Sequence, residues 1–160
     1  MIGPFVLAAL VQVPASPPAV VTVTPPEEQG IQAGGRAEAR VVVKIKEGFH
    51  VQANPASEPF LVPARLEVRD DERLRAGPPR YPTGKPYRLR GSSRDLSTYE
   101  GTFVIRLPLE AALRSRPGMP SEPMTLVLDA TLHYQACDDR VCLKPSSVPV
   151  RVPVRIEPKR

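Results

Sequence analysis

Tryptophan is absent from this chain, and aromatic residues make up only 5% of its 160 positions. A core without large rings must be assembled from Val, Leu, Ile and Ala, and so β-branched a palette favours sheet over a helical bundle. Cysteine and histidine are as scarce, at two residues each. Structural zinc needs four ligands and catalytic zinc three plus water, yet only His133 lies near the cysteines in sequence and His50 is remote. The ordinary reading of both histidines is a surface or strand residue. No Gly-rich phosphate loop, Ser-His-Asp arrangement or paired-carboxylate signature stands out, so hydrolase and nucleotide chemistry have little support. A clustered basic stripe is missing too. The formal net charge of +5 comes mainly from arginines that alternate with apolar residues, as in VRVPVRIEPKR, and these mark the solvated face of strands. Nucleic acid is therefore not expected as a partner, and neither a small-molecule substrate nor a cofactor is expected.

What is present is a period of two. The 41% apolar content and the length fit one domain with one core. In AEARVVVKIK, Ala39, Val41, Val43 and Ile45 share a face, while Arg40, Lys44 and Lys46 share the other. PARLEVRD repeats the pattern, GTFVIRLPL gives a short apolar run, and MTLVLDATLHYQAC alternates from Leu126 to Tyr134. The last alternating segment is SVPVRVPVRI, where Pro149 and Pro153 fall on the outward phase and suit an edge strand. Pro occurs 21 times, scattered between valine-rich runs, and acts as strand punctuation. One helix is expected, in PLEAALRSRPG, opened by Pro108 and closed by Pro117-Gly118. The stretch from Asp70 to Thr98 has little periodicity and many turn residues, so it reads as a long surface loop of the kind that forms lids. Together these give an all-β fold, an immunoglobulin-like β-sandwich with one short helix and a long cap-like loop.

The first residues stand apart. Ile2 to Val13 is an apolar run of signal-peptide length, too short to span a bilayer, with no Lys or Arg before it and small residues and prolines after it. Residues 1–18 are read as a signal peptide or a disordered N-terminus, with a buried first strand as the alternative, and 19–160 as the folded domain. Export would place the chain in an oxidising compartment, where a cysteine pair persists as a disulfide.

That pair lies in YQACDDRVCLKP, with four residues between Cys137 and Cys142. Across a hairpin the two can bond, because ladder partners lie about 4.5 to 5.5 Å apart at Cα. By alternation, however, Cys137 has the outward phase of His133 and Gln135 while Cys142 has the inward phase of Val148, so a bulge or break is required near Lys144-Pro145. A loop of six residues gains only about 2 kcal/mol from closure, little for a staple. Nor can so short a spacing join two sheets of a sandwich. The residues leave three uses open: thiol exchange, a stabilising hairpin disulfide, and a metal site. Locally, Asp138 and Asp139 should disfavour a thiolate at Cys137, and Arg140 should favour one at Cys142.

YQACDDRVCLKP resembles the cysteine hairpin of the N-terminal periplasmic domain of the thiol:disulfide interchange protein DsbD and of the related disulfide bond corrector domains. KEGFHVQANPASEPFLVPARLEV and YPTGKPYRLRGSSRDLSTYEGTFVIRLPL extend the likeness, over roughly residues 37 to 150. The resemblance implies an immunoglobulin-like sandwich that passes reducing equivalents between thioredoxin-like partners in the periplasm. It also implies that Cys142 forms the mixed disulfide and Cys137 resolves it, and that a cap, here Gly84 to Tyr99, shields the pair. Tyr87, Leu89, Leu96 and Tyr99 are then the candidate covering residues. The chain holds no eight-helix segment and no thioredoxin domain of its own, so a separate membrane reductant is expected if it is complete. The alternative function is a non-catalytic binding module of the same fold whose disulfide is structural.

Overall fold

The computed structural model describes residues 19–113 and 115–158. The expected export segment, 1–18, lies outside them. Twelve strands are formed, and no helix occurs among the described residues. In chain order they are β1 Val21–Thr24, β2 Gln29–Gln32, β3 Arg36–Ile45, β4 His50–Gln52, β5 Arg65–Val68 and β6 Leu74–Ala76. They continue with β7 Lys85–Arg88, β8 Asp95–Tyr99, β9 Thr102–Ala111, β10 Met124–Tyr134, β11 Ala136–Cys137 and β12 Ser146–Glu157.

Two four-stranded sheets form the sandwich, in the orders β1-β3-β9-β6 and β2-β12-β10-β5. The long ladders are antiparallel, Arg36↔Glu110 to Lys44↔Thr102 in one sheet and Met124↔Ile156 to Tyr134↔Ser146 in the other. Their inward residues alternate as the sequence requires: Ala39, Val41, Val43, Ile105, Leu107 and Leu109 meet Leu128, Leu132, Val150, Val152, Val154 and Ile156 in one buried cluster. Each of the valines, leucines and isoleucines withdrawn from water contributes about 1.5 to 3 kcal/mol toward holding the sheets face to face. The immunoglobulin-like sandwich expected from the pattern is the fold observed.

Two local expectations change. The segment expected to be helical from Pro108 instead continues β9 as far as Ala111, because Leu109 and Ala111 keep the inward phase of Phe103, Ile105 and Leu107 and are buried with them. Pro108 is tolerated there because its carbonyl accepts from Gly77, just beyond the end of β6; its missing N–H points to the same side, where the β6 ladder has stopped. The Asp70 to Thr98 stretch is not one long loop but carries β6, β7 and most of β8. Pro149 and Pro153 do lie where β12 has β10 on one side only; β2 pairs with the other side from Val154 onward.

A third sheet, β11-β4-β8-β7, sits at one end of the sandwich and is made from continuations of it. β4 follows β3, β8 precedes β9, and β11 follows β10. The first two bends turn on Gly48 and Gly101, whose φ values of +83° and +61° belong to the left-handed region. Gly101 also accepts from the Ile45 amide at 2.7 Å, tying the two bends together.

Candidate functional site

The cysteines terminate this third sheet. β10 pairs with β12 as far as Tyr134, Gln135 interrupts it, and β11 then leaves β12 and pairs with β4 through Ala136↔Val51 and Cys137↔His50. On the return side Leu143 to Pro145 belong to no strand. The break required near Lys144-Pro145 is therefore present, and Gln135 supplies a second one. Gln135 Nε2 donates to the Leu143 carbonyl at 3.0 Å and spans the gap.

The turn between the cysteines is set by Asp138. Its carboxylate accepts from the amides of Val141 at 2.7 Å and Arg140 at 2.8 Å, and these bonds hold its pKa below the ordinary carboxylate value. The Asp138 amide donates to the Val141 carbonyl, and the Leu143 amide to the Ala136 carbonyl. Those two bonds bracket Cys137 and Cys142, which makes them a non-hydrogen-bonded pair, the position where facing side chains come closest. They are disulfide-bonded, with S–S 2.03 Å and a Cα separation of 3.9 Å, shorter than the ladder spacing expected from the hairpin alone.

Burial reverses the phases expected from alternation. Cys137 is 3% exposed because β11 is covered on both faces, while Cys142 lies on the exposed arm between Val141 and Leu143, themselves 57% and 39% exposed. Asp139 and Arg140 are exposed and approach each other at 3.8 Å, so the local charges expected to act on the sulfurs are partly engaged within the turn itself.

The candidate cap residues lie in different settings. Gly84 to Tyr99 forms the β7–β8 hairpin, with Tyr87 opposite Leu96 and Arg88 paired to Asp95 at 2.6 Å. Tyr87 lies on the His50 ring, centroids 4.0 Å apart, and so reaches the strand beside Cys137. Leu96 is half-buried, and Leu89 is exposed near the hairpin tip. Tyr99 faces the core instead: it stacks on Phe103 at 4.3 Å, donates to the Pro82 carbonyl at 2.8 Å and accepts from the Asn54 amide. Sequence reasoning assigned no role to His50, which is brought into register with Cys137; the only signal was its place in the alternating run GFHVQ. His133 lies on β10, 3.4 Å from Glu67. Among the described residues no three His, Cys, Asp or Glu side chains gather as a metal site.

The family model for the N-terminal domain of thiol:disulfide interchange protein DsbD matches residues 21–152. This chain belongs to the DsbD N-terminal domain family. Among solved structures, the N-terminal periplasmic domain of ScsB from Proteus mirabilis superposes with a TM-score of 0.50 at 12% identity, covering 82% of this chain and 44% of that one. The present chain thus spans under half of that relative's length, and the likeness is one of fold. A structure of a family 123 glycoside hydrolase from Clostridium perfringens matches with a TM-score of 0.37 at 7% identity over 83% of this chain and 23% of that one. No curated protein sequence matches the chain. In the DsbD N-terminal domain frame, the matched region takes in both cysteines, the β7–β8 hairpin and His50.

Proposed function

We propose that this domain is a periplasmic dithiol/disulfide carrier that passes reducing equivalents between thioredoxin-like partners through Cys137 and Cys142. The observation that supports it best is the asymmetry of the pair: one sulfur's residue is exposed between two apolar neighbours, and the other's is buried beside β4. In the reduced domain the Cys142 thiolate attacks a partner's disulfide, forming a Cys142–partner bond and expelling the partner's other sulfur as a thiolate. Cys137 then attacks Cys142 Sγ, closing the internal disulfide and releasing the partner's second thiolate. Two electrons have passed to the partner, and a reduced dithiol upstream restores the pair. Val141 and Leu143 give the partner an apolar rim around the attacking sulfur. The β7–β8 hairpin acts as the cap, with Tyr87 and Leu96 its covering residues on the Cys137 side. Residues 1–18 act as the export signal.

The reduction potential separates this reading from a binding module with a structural bond. Structural disulfides have potentials below about −300 mV, exchanging ones well above it. Equilibration against thioredoxin, with the reduced fraction read by alkylation, is expected to give a value well above that limit. A value at or below it would favour the binding module.

A further inference from the structure

His50 is 2% exposed, and its Nε2 is one of two buried side-chain polar atoms among the described residues that have no hydrogen-bond partner. Buried polar atoms are seldom left unpaired, and one that is requires an explanation. The other, Gln52 Oε1, lies on the same strand opposite Thr98, away from the sulfurs. His50 differs in its neighbours. Cys142 pairs with Cys137, and Cys137 with His50, so the three residues form one row across adjacent strands with side chains on the same face. The row places an imidazole beside the buried sulfur, on the side opposite the exposed one.

We infer that His50 is the proton acceptor for Cys137 in the resolving step. This rests on the exchange reading above and concerns its second half alone. A thiol buried among apolar groups holds its proton, which slows its attack as a thiolate. In the mixed disulfide, the Cys137 proton passes to Nε2 of neutral His50, the sulfur attacks Cys142 Sγ, and the Cys142–partner bond breaks with its electron pair leaving on the partner's sulfur. The imidazolium returns the proton to that thiolate or to water. The internal pair is oxidised by two electrons and the partner reduced by two, so no further reagent is needed.

The surroundings suit a neutral base. Burial lowers the His50 pKa, while Glu100 and Asp138 pull it upward. The groove beside the imidazole is lined by Lys44 near the end of β3, Lys46 and Glu47 from the β3–β4 turn, Tyr87 from β7, Glu100 after β8, and Asp139 from the cysteine turn. The Tyr87 ring holds the imidazole from one side.

The reduced domain reacting with dithiobis-nitrobenzoate releases coloured thiolate in two phases, attack by Cys142 and then closure by Cys137; the Cys137→Ser variant, showing only the first, assigns them. In the wild type the second phase should be nearly flat above about pH 7, because burial holds the His50 pKa below its ordinary value and the imidazole is neutral there. In His50→Phe, which keeps a ring against Tyr87, it should fall roughly 10- to 100-fold at the acid end and climb about tenfold per pH unit, with the first phase unchanged. His50→Gln should behave alike. An unchanged second phase, or both phases slowed equally, overturns the role. If neither variant folds, a wild-type second phase that itself climbs tenfold per pH unit in that range overturns it. Should the wild type show both phases yet never exchange with thioredoxin, the carrier reading fails while the role of His50 stands.

Discussion

Cys137 and Cys142 are chemically identical and five positions apart, yet the fold gives them opposite settings. Cys137 is held between β4 and the return arm, and Cys142 is presented at the rim. An incoming disulfide should therefore engage Cys142. Cys137→Ser should accumulate a covalent complex with a thioredoxin-like partner, because nothing remains to resolve it, and Cys142→Ser should trap far less. Non-reducing electrophoresis after incubation with oxidised partner reads the difference. Trapping by Cys142→Ser alone would reverse the two roles, and no trapping by either would return the pair to a structural use. The candidate pair was legible in the sequence from its spacing; its burial was not. Alternation carried past Gln135 puts Cys137 outside and Cys142 inside, but β10 stops at Tyr134, and the phase restarts in a different sheet.

Among the elements, the β7–β8 hairpin is fitted to β4 with little clearance. Gly84 lies against Ala53 and Ser97, and a Cβ there would stand 2.6 Å from the Ala53 Cβ and overlap Ser97. Gly84→Ala should lift the hairpin. Its measure is alkylation of Cys137 in a Cys142→Ser background, expected to rise severalfold if Tyr87 and Leu96 shield that side. Equal rates with and without the substitution would remove the hairpin from the shielding role. Sequence reasoning found the long elements β3, β10 and β12, because each buries one face and so shows its period over ten residues or more, and found β9 only in part, as a short apolar run. The third sheet escaped it. Its strands run from two to five residues, too short to establish a period, and β4 and β11 are buried on both faces, so the brief polar-apolar alternation in β4 does not mark an exposed side. The segment from Pro108 to Gly118 looked helical because Pro and Pro-Gly bracket it, a local cue outweighed as far as Ala111 by pairing with β3 and β6. His50 could not be identified as a neighbour of Cys137 from a span of 87 positions, since only the pairing of β11 with β4 brings them together.

For the whole molecule, the site depends on the sandwich but the sandwich does not depend on the site. The third sheet takes β4 and β8 from one layer and β11 from the other, so the sulfurs are mounted where both layers end. Export of the whole would supply the compartment this chemistry needs. Protein recovered from its native envelope should begin after about residue 14, as N-terminal sequencing would show. Intact Met1 in a cytoplasmic fraction would undo that assignment and weaken the carrier reading with it.

The small loop that Asp138 closes also limits how strongly the fold and the bond can influence each other. Folding and reduction form a thermodynamic cycle, so whatever the S–S bond adds to stability, the folded state returns to the bond as resistance to electrons. With a loop of only six residues, from 137 to 142, that mutual term is about 2 kcal/mol. For a two-electron couple this amounts to roughly 40 mV. The fold can therefore give up and regain the bond without unfolding, and the two redox forms should melt within about 10 °C of each other.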